Sequence, residues 1–170
     1  TYLSLAVHRY FRVSREEADE IVANARIVHP YGYLGDPFSR TTQTEFAPSS
    51  LNLHSVAERI KTYSESTETS STMQTYFYEA ETLVFLGSAY HAANLDLLDP
   101  KTRIDYEAGF RKRIFATTMG LSRSDEAVVR EQLSEIVTGA PYSAEFGDWI
   151  FMNNGTCREL FGAFWRSLTN

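Results

Sequence analysis

The predicted fold is decided by residues 73–98, which read MQTYFYEAETLVFLGSAYHAANLDLL. On a helical wheel, the aromatic and aliphatic side chains of this segment cover every face. A helix that is apolar on all sides is one that other elements bury. The segment therefore predicts a long central helix around which the rest of the chain packs.

Amphipathic segments lie on both sides of this central helix, with apolar residues at the spacing of one helix face. Two of them begin with the capping-box pattern, in which Ser14 or Thr156 is followed one turn later by Glu. Another begins with Asp99-Pro100, a favoured helix start. We therefore predict an all-α fold over 1–170, a single-domain bundle of seven or eight helices around residues 73–98. The other predicted helices are about 1–11, 15–28, 50–63, 100–119, 123–137, 143–152 and 157–168.

Two segments lack a helical pattern. Residues 30–49 are rich in Pro and Gly and predict a long irregular loop, a kind of segment that is often functional in compact domains. Residues 64–75 consist mostly of Ser, Thr and Glu, whose side chains compete for backbone hydrogen bonds. This composition predicts a flexible linker or an exposed connection between helices.

Composition limits the class of protein and its partners. Hydrophobic residues make up 43% and aromatic residues 14% of the 170, which excludes a disordered chain. The formal charge of −6 disfavours nucleic acid and anionic membrane surfaces as partners. The single cysteine excludes an intrachain disulfide, and no apolar run is long enough to span a membrane. The compartment stays open: we favour the cytoplasm over secretion or the periplasm after processing.

Signatures of several enzyme classes are missing from the sequence, namely the nucleophile elbow, the phosphate-binding loop and the dinucleotide fingerprint. An enzyme would need a site assembled from dispersed residues, for which we consider His91, Glu79 and Tyr78. His91 lies within the predicted central helix, where a buried imidazole needs a hydrogen-bond partner. A core histidine bonded to a carbonyl is the simpler interpretation.

No cofactor or metal site is predicted, because the four histidines are dispersed and lack the spacing of ligand pairs on a helix. A helical sensor that binds haem or another flat apolar ligand through His91 is the alternative. Cys157 at a helix start is more simply a small core residue than a nucleophile.

The number of aromatic residues exceeds what a domain of this size needs for its core, which predicts that some of them form a contact surface. We therefore predict a non-catalytic binding or regulatory module, of adaptor, effector or inhibitor type, whose partner is another protein. The predicted contact residues lie in the long loop and in the C-terminal region. They are Tyr31, Tyr33, Phe38, Trp149, Phe161 and Trp165.

Overall fold

The computed structural model describes residues 2–31, 68–99, 112–143 and 149–169. The chain divides by its internal contacts into two compact units, Thr1–Thr69 and Ser70–Asn170, each of which is considered by itself. The prediction of a single domain stays a prediction. The predicted helix 50–63 and most of the predicted loop, residues 32–49 with Tyr33 and Phe38, lie outside the described residues.

The described part of the N-terminal unit is a pair of helices, α1 (Tyr2–Phe11) and α2 (Arg15–Ala23). The buried hydroxyl of Ser4 in α1 donates a hydrogen bond to the carboxylate of Asp19 in α2. The predicted capping box at the start of α2 is confirmed. The N–H of Glu17 donates to the hydroxyl of Ser14 at 3.1 Å, and the N–H of Ser14 donates to the Glu17 carboxylate at 2.9 Å. Bonding of the Glu17 carboxylate to the Ser14 backbone N–H, and secondarily to the Ser14 side chain, holds the pKa of Glu17 below its usual range.

The C-terminal unit combines helices with a parallel sheet. Helix α3 (Glu68–Glu79) begins at the boundary between the units, and most of it belongs to the C-terminal unit. The elements that follow, in chain order, are β1 (Thr82–Phe85), α4 (Ala92–Asp96), β2 (Arg113–Thr117), α5 (Arg123–Thr138), β3 (Ile150–Asn153), α6 (Cys157–Ala163) and α7 (Trp165–Thr169).

The three strands form a parallel sheet in the order β1-β2-β3, with β2 in the centre. In the register, Val84 lies opposite Phe115, and Phe115 lies opposite Phe151. Backbone bonds extend the pairing at both ends of β2, from Arg113 N–H to the Glu81 carbonyl at 3.0 Å and from Thr118 N–H to the Asn153 carbonyl at 2.8 Å. Ile114, Phe115 and Ala116 of β2 are 0% exposed, so this strand is buried on both faces.

Successive strand residues point to opposite sides of the sheet, so the apolar residues of β2 lie on both faces. Helices cover each of these faces. On one face, Ile114 and Ile150 belong to a core cluster with Val129, Leu133 and Val137 of α5. On the other face, three phenylalanine rings pack against one another. These are Phe115, Phe151 and Phe164, the last from the junction of α6 and α7, with ring centroids 5.1–5.9 Å apart.

The predicted all-α helical bundle is wrong, because the described residues form a mixed α/β fold. Residues 73–98 are not one central helix: α3 ends at Glu79, β1 occupies 82–85, and α4 covers only 92–96. A strand that is buried on both faces is a continuous apolar run, and a short run of this kind does not distinguish a strand from a buried helix. The same error affects 113–117 and 150–152, which were predicted as helix and form β2 and β3.

Other predicted elements fare better. Helix α5 is confirmed with its cap at Ser122 and its end at the left-handed Gly139. The C-terminal helix is confirmed with its capping box but is interrupted at Phe164. The predicted linker 64–75 is wrong from Glu68 onward, where α3 begins. The described residues contain no helix with the length and apolarity that a membrane crossing requires.

Lys112 connects the end of α3 to the start of β2. Its buried ammonium group donates hydrogen bonds to the carbonyls of Phe77, at 3.0 Å, and of Tyr78 and Ala80. The last carbonyls of a helix have no partner within the helix and carry partial negative charge. Lys112 therefore caps α3, while burial lowers the pKa of its amine.

We expect Lys112→Met to lower the free energy of unfolding by about 1–3 kcal/mol, because the apolar stem is kept while buried carbonyls lose their donor. Urea denaturation of both proteins measures the change. Arg166→Met, at an exposed position of α7, is the control and should change stability by less than about 0.5 kcal/mol. Wild-type stability in Lys112→Met would contradict the capping role.

Candidate functional site

The carboxyl ends of the three strands lie at one edge of the sheet because the strands are parallel. At this edge each strand is followed by a turn that contains a glycine and precedes a helix. We name these segments the β1 turn (86–91), the β2 turn (118–122) and the β3 turn (154–156), and together the carboxyl edge. Ligands of open α/β sheets bind at this edge, which makes it the candidate functional site.

The β1 turn is attached to the last residue of β2. The N–H of Gly87 donates to Oγ1 of Thr117 at 2.8 Å, and the phenol of Tyr90 donates to the carbonyl of Thr117 at 2.7 Å. Tyr90 is buried, with its ring centroid 6.2 Å from that of Phe85, and burial raises the pKa of its phenol to about 12. The turn is therefore fixed by both its backbone and a buried side chain.

The β2 and β3 turns are joined by a network of side-chain hydrogen bonds. The Glu126 carboxylate accepts from the Thr118 hydroxyl at 2.6 Å and from the Asn154 amide at 3.1 Å. The same amide donates to the Leu121 carbonyl at 2.9 Å, and the Asn154 Oδ1 accepts from the Gly120 N–H at 3.1 Å. Asn154 thus spans from the β3 turn to the β2 turn, and Glu126 of α5 completes the link.

Both helices that leave this part of the edge begin with side-chain caps. The Ser122 hydroxyl accepts from the N–H of Asp125 at 3.1 Å at the start of α5. At the start of α6, the Thr156 hydroxyl accepts from the Glu159 N–H at 3.3 Å, and the Glu159 carboxylate accepts from the Thr156 N–H at 2.7 Å and its hydroxyl at 2.8 Å. The bond from the Thr156 N–H to the Glu159 carboxylate lowers the pKa of Glu159 most, and the bond from the Thr156 hydroxyl lowers it further. The caps already occupy first-turn N–H groups that could bind an anion.

The β3 turn is tightly packed around its glycine. A Cβ added to Gly155 would lie 2.6 Å from Oδ1 of Asn153 and 2.8 Å from Oε2 of Glu159. That Asn153 oxygen is buried, and it has no hydrogen-bond partner among the described residues. A residue other than glycine at 155 would therefore displace Asn153 or the capping carboxylate.

The residues predicted as a dispersed catalytic site are not brought together. Tyr78 and Glu79 end α3 and precede β1, whereas His91 is the last residue of the β1 turn. Strand β1 lies between these two groups, and its four residues span about 13 Å at 3.3 Å per residue. Tyr78 and Glu79 therefore lie at the opposite edge of the sheet from His91. His91 is exposed at the start of α4 and does not cap that helix with its side chain, so its predicted burial in a central helix is wrong. Tyr78 instead lies with its ring 5.7 Å from the ammonium of Lys112.

The predicted contact residues have different environments. Trp149 is half-buried against the core cluster, and its carbonyl accepts from the Ile114 N–H at 2.8 Å. Phe161 and Trp165 are exposed by 42% and 62%, one turn apart on α6 and α7. Tyr31 is exposed at the end of the described N-terminal unit. Within 2–31, 68–99, 112–143 and 149–169, no three His, Cys, Asp or Glu side chains form a group suited to a metal ion.

Apart from His91, no residue of the carboxyl edge was predicted as a site residue, although the sequence contains a signal for this edge. Each of three short apolar runs is followed within a few residues by Gly87, Gly120 or Gly155. Two of these glycines precede the helix caps Ser122 and Thr156. An apolar run, a glycine turn and a helix cap are typical of a β-strand that leads into a helix.

Comparisons of this chain with protein-family models, with curated proteins and with solved structures find no match.

We expect Gly155→Ala to lower the free energy of unfolding by about 1–3 kcal/mol, because the added methyl group overpacks the β3 turn. Gly162→Ala is a matched control within α6, where a Cβ would meet no atom within 4 Å. It should raise stability by about 0.5–1 kcal/mol, the usual gain of alanine over glycine in a helix. Thermal and urea unfolding measure both changes, and equal effects would contradict the packing described for Gly155.

Proposed function

We propose that the C-terminal unit is a binding module whose small polar ligand binds at the carboxyl edge of the sheet, in a crevice expected outside the β2 and β3 turns that Asn154 joins. This keeps the class predicted from the sequence, a non-catalytic binding module, and changes the expected partner from a protein to a small molecule. No reaction is assigned.

The observation that carries the proposal is the divergence of the two helices that leave β2 and β3. Helix α5 packs on the face of the sheet that bears Ile114 and Ile150. The segment α6–α7 packs through Phe164 on the face that bears Phe115 and Phe151. Where neighbouring parallel strands send their connections to opposite faces, a crevice opens outside their carboxyl ends, and ligands of α/β sheets bind there.

The walls of this crevice support the binding of a polar molecule. Asn154 is exposed and is held by its bonds to Glu126 and to the Leu121 carbonyl, so it does not need to be ordered when a ligand binds. Thr118 is buried and supports this arrangement through its bond to Glu126. Met119 is 69% exposed and Asn154 is exposed, which leaves the mouth of the crevice open to solvent. A few fixed polar groups in an accessible concave site are typical of small-molecule sites.

The alternatives that depend on His91 gain less support. A catalytic site of His91 with Glu79 and Tyr78 would need residues from opposite edges of the sheet. Haem binding through His91 remains a hypothesis that no described contact favours.

Protein–protein contact through α6 and α7 is a second candidate function, favoured by the exposed fractions of Phe161 and Trp165. Aromatic side chains of this kind anchor many protein interfaces. The two candidates involve different residues, so a substitution in the β2 turn distinguishes them.

The proposal is tested by thermal unfolding of the full chain with polar compounds that carry no phosphate, namely adenosine, glucose, glutamine and S-adenosylmethionine. We expect at least one of these compounds to raise the Tm by several degrees, since a ligand at 100 times its Kd stabilises the folded state by about 2.7 kcal/mol. Met119→Trp places an indole at the mouth of the crevice and should abolish that shift.

Ala140→Trp is the matched control for this experiment. Ala140 is also exposed in a turn, but it follows α5 at the amino edge of the sheet, so the shift should persist. A shift that survives Met119→Trp would place the ligand elsewhere. The absence of a shift with every compound, together with capture of a protein partner that depends on Trp165, would favour the second candidate.

A further inference from the structure

We propose that Tyr90 is a positioning residue that holds the β1 turn in one preformed conformation beside the crevice, so that the turn is a rigid wall of the site and not a lid that orders on binding. The inference rests on the proposed function for its purpose, but its physical content concerns the free protein and can be tested without a ligand.

Thr117, the last residue of β2, anchors the β1 turn at two points. Its Oγ1 accepts from the Gly87 N–H at 2.8 Å, near the start of the turn. Its carbonyl accepts from the Tyr90 phenol at 2.7 Å, near the end of the turn. A third bond lies within the turn, from the Tyr90 N–H to the Ser88 hydroxyl at 3.2 Å. The turn is therefore anchored to the central strand, which is buried and paired on both sides.

The backbone of the turn is strained at Tyr90. Its φ of 52° lies in the left-handed region, as does that of Gly87 at 61°. Glycine adopts this region without cost, but a bulky residue adopts it only where surrounding contacts require it. For Tyr90 those contacts are the ring of Phe85 and the bond to Thr117, and the side chain is only 6% exposed. Without the phenol bond, the strained conformation should open more often.

The two anchors enclose the central residues of the β1 turn. Ser88 is half-buried and Ala89 is exposed, and both lie between Gly87 and Tyr90. A turn with both ends attached to Thr117 presents them in a fixed geometry before any ligand arrives. Fixing a binding segment in advance removes the entropic cost of ordering it.

Amide hydrogen exchange of the free full-length chain tests the inference. In the wild type, the Gly87 amide should be protected relative to an unstructured peptide. Tyr90→Phe keeps the ring but removes the donor, and it should speed exchange at Gly87 and Tyr90 by about fivefold, as expected for the loss of one net hydrogen bond. The amides of Ile114 and Phe115 in β2 should be unchanged.

Three further variants provide two controls and a second test. Tyr78→Phe makes the same chemical change at the opposite edge of the sheet and should leave exchange in the β1 turn unchanged. Thr117→Val removes the acceptor for Gly87 and should speed its exchange, whereas Thr117→Ser keeps a hydroxyl and should preserve protection.

Either of two results would overturn the inference. One is a Gly87 amide that exchanges at the unstructured rate in the wild type. The other is an equal acceleration of Gly87, Ile114 and Phe115 in Tyr90→Phe, which would make Tyr90 a residue of general stability. A negative compound screen would count against the proposed function alone, because the exchange measurement needs no ligand.

Discussion

The C-terminal unit depends on the pairing of β2 with a parallel strand on each side. Its backbone N–H and C=O groups are buried, and buried groups of this kind need partners. Strands β1 and β3 supply them in a continuous register from Arg113 to Thr117. Its side chains impose a second requirement, because Ile114 and Phe115 point to opposite faces and neither is exposed. Both faces of the sheet must therefore be covered by helices.

The candidate site follows from the same pairing. Parallel strands place their last residues at one edge, so Thr117, Asn153 and the turns after them become neighbours although they are distant in sequence. Covering both faces sends α5 and α6 in different directions from adjacent strands, at the edge where we propose the ligand site. Two successive threonine hydroxyls at the end of β2 form hydrogen bonds to different turns of this edge. Thr117 fixes the β1 turn, and Thr118 joins the Glu126 network.

Local signals in the sequence predicted the starts of α2 and α6, whereas they did not predict the sheet. The capping boxes at Ser14 and Thr156 need only residues within one helical turn, and both form as expected. The strands needed information about neighbours that a local pattern does not contain, because 83–86 is apolar on every side in either a strand or a buried helix. His91 was misplaced for the same reason. The carboxyl edge depends on pairing between distant segments, so only its glycines were visible in the sequence.

The central claim is that residues 82–85, 113–117 and 150–153 form a parallel sheet with β2 in the centre. Nuclear Overhauser contacts between backbone amides test it most directly, because neighbouring strands and successive helical residues give different patterns. The account predicts contacts from the Phe115 region to the Val84 and the Phe151 regions, with weak contacts between successive amides along β2. Strong successive contacts through 82–86 and 113–117, without contacts between these segments, would indicate helices and contradict the account.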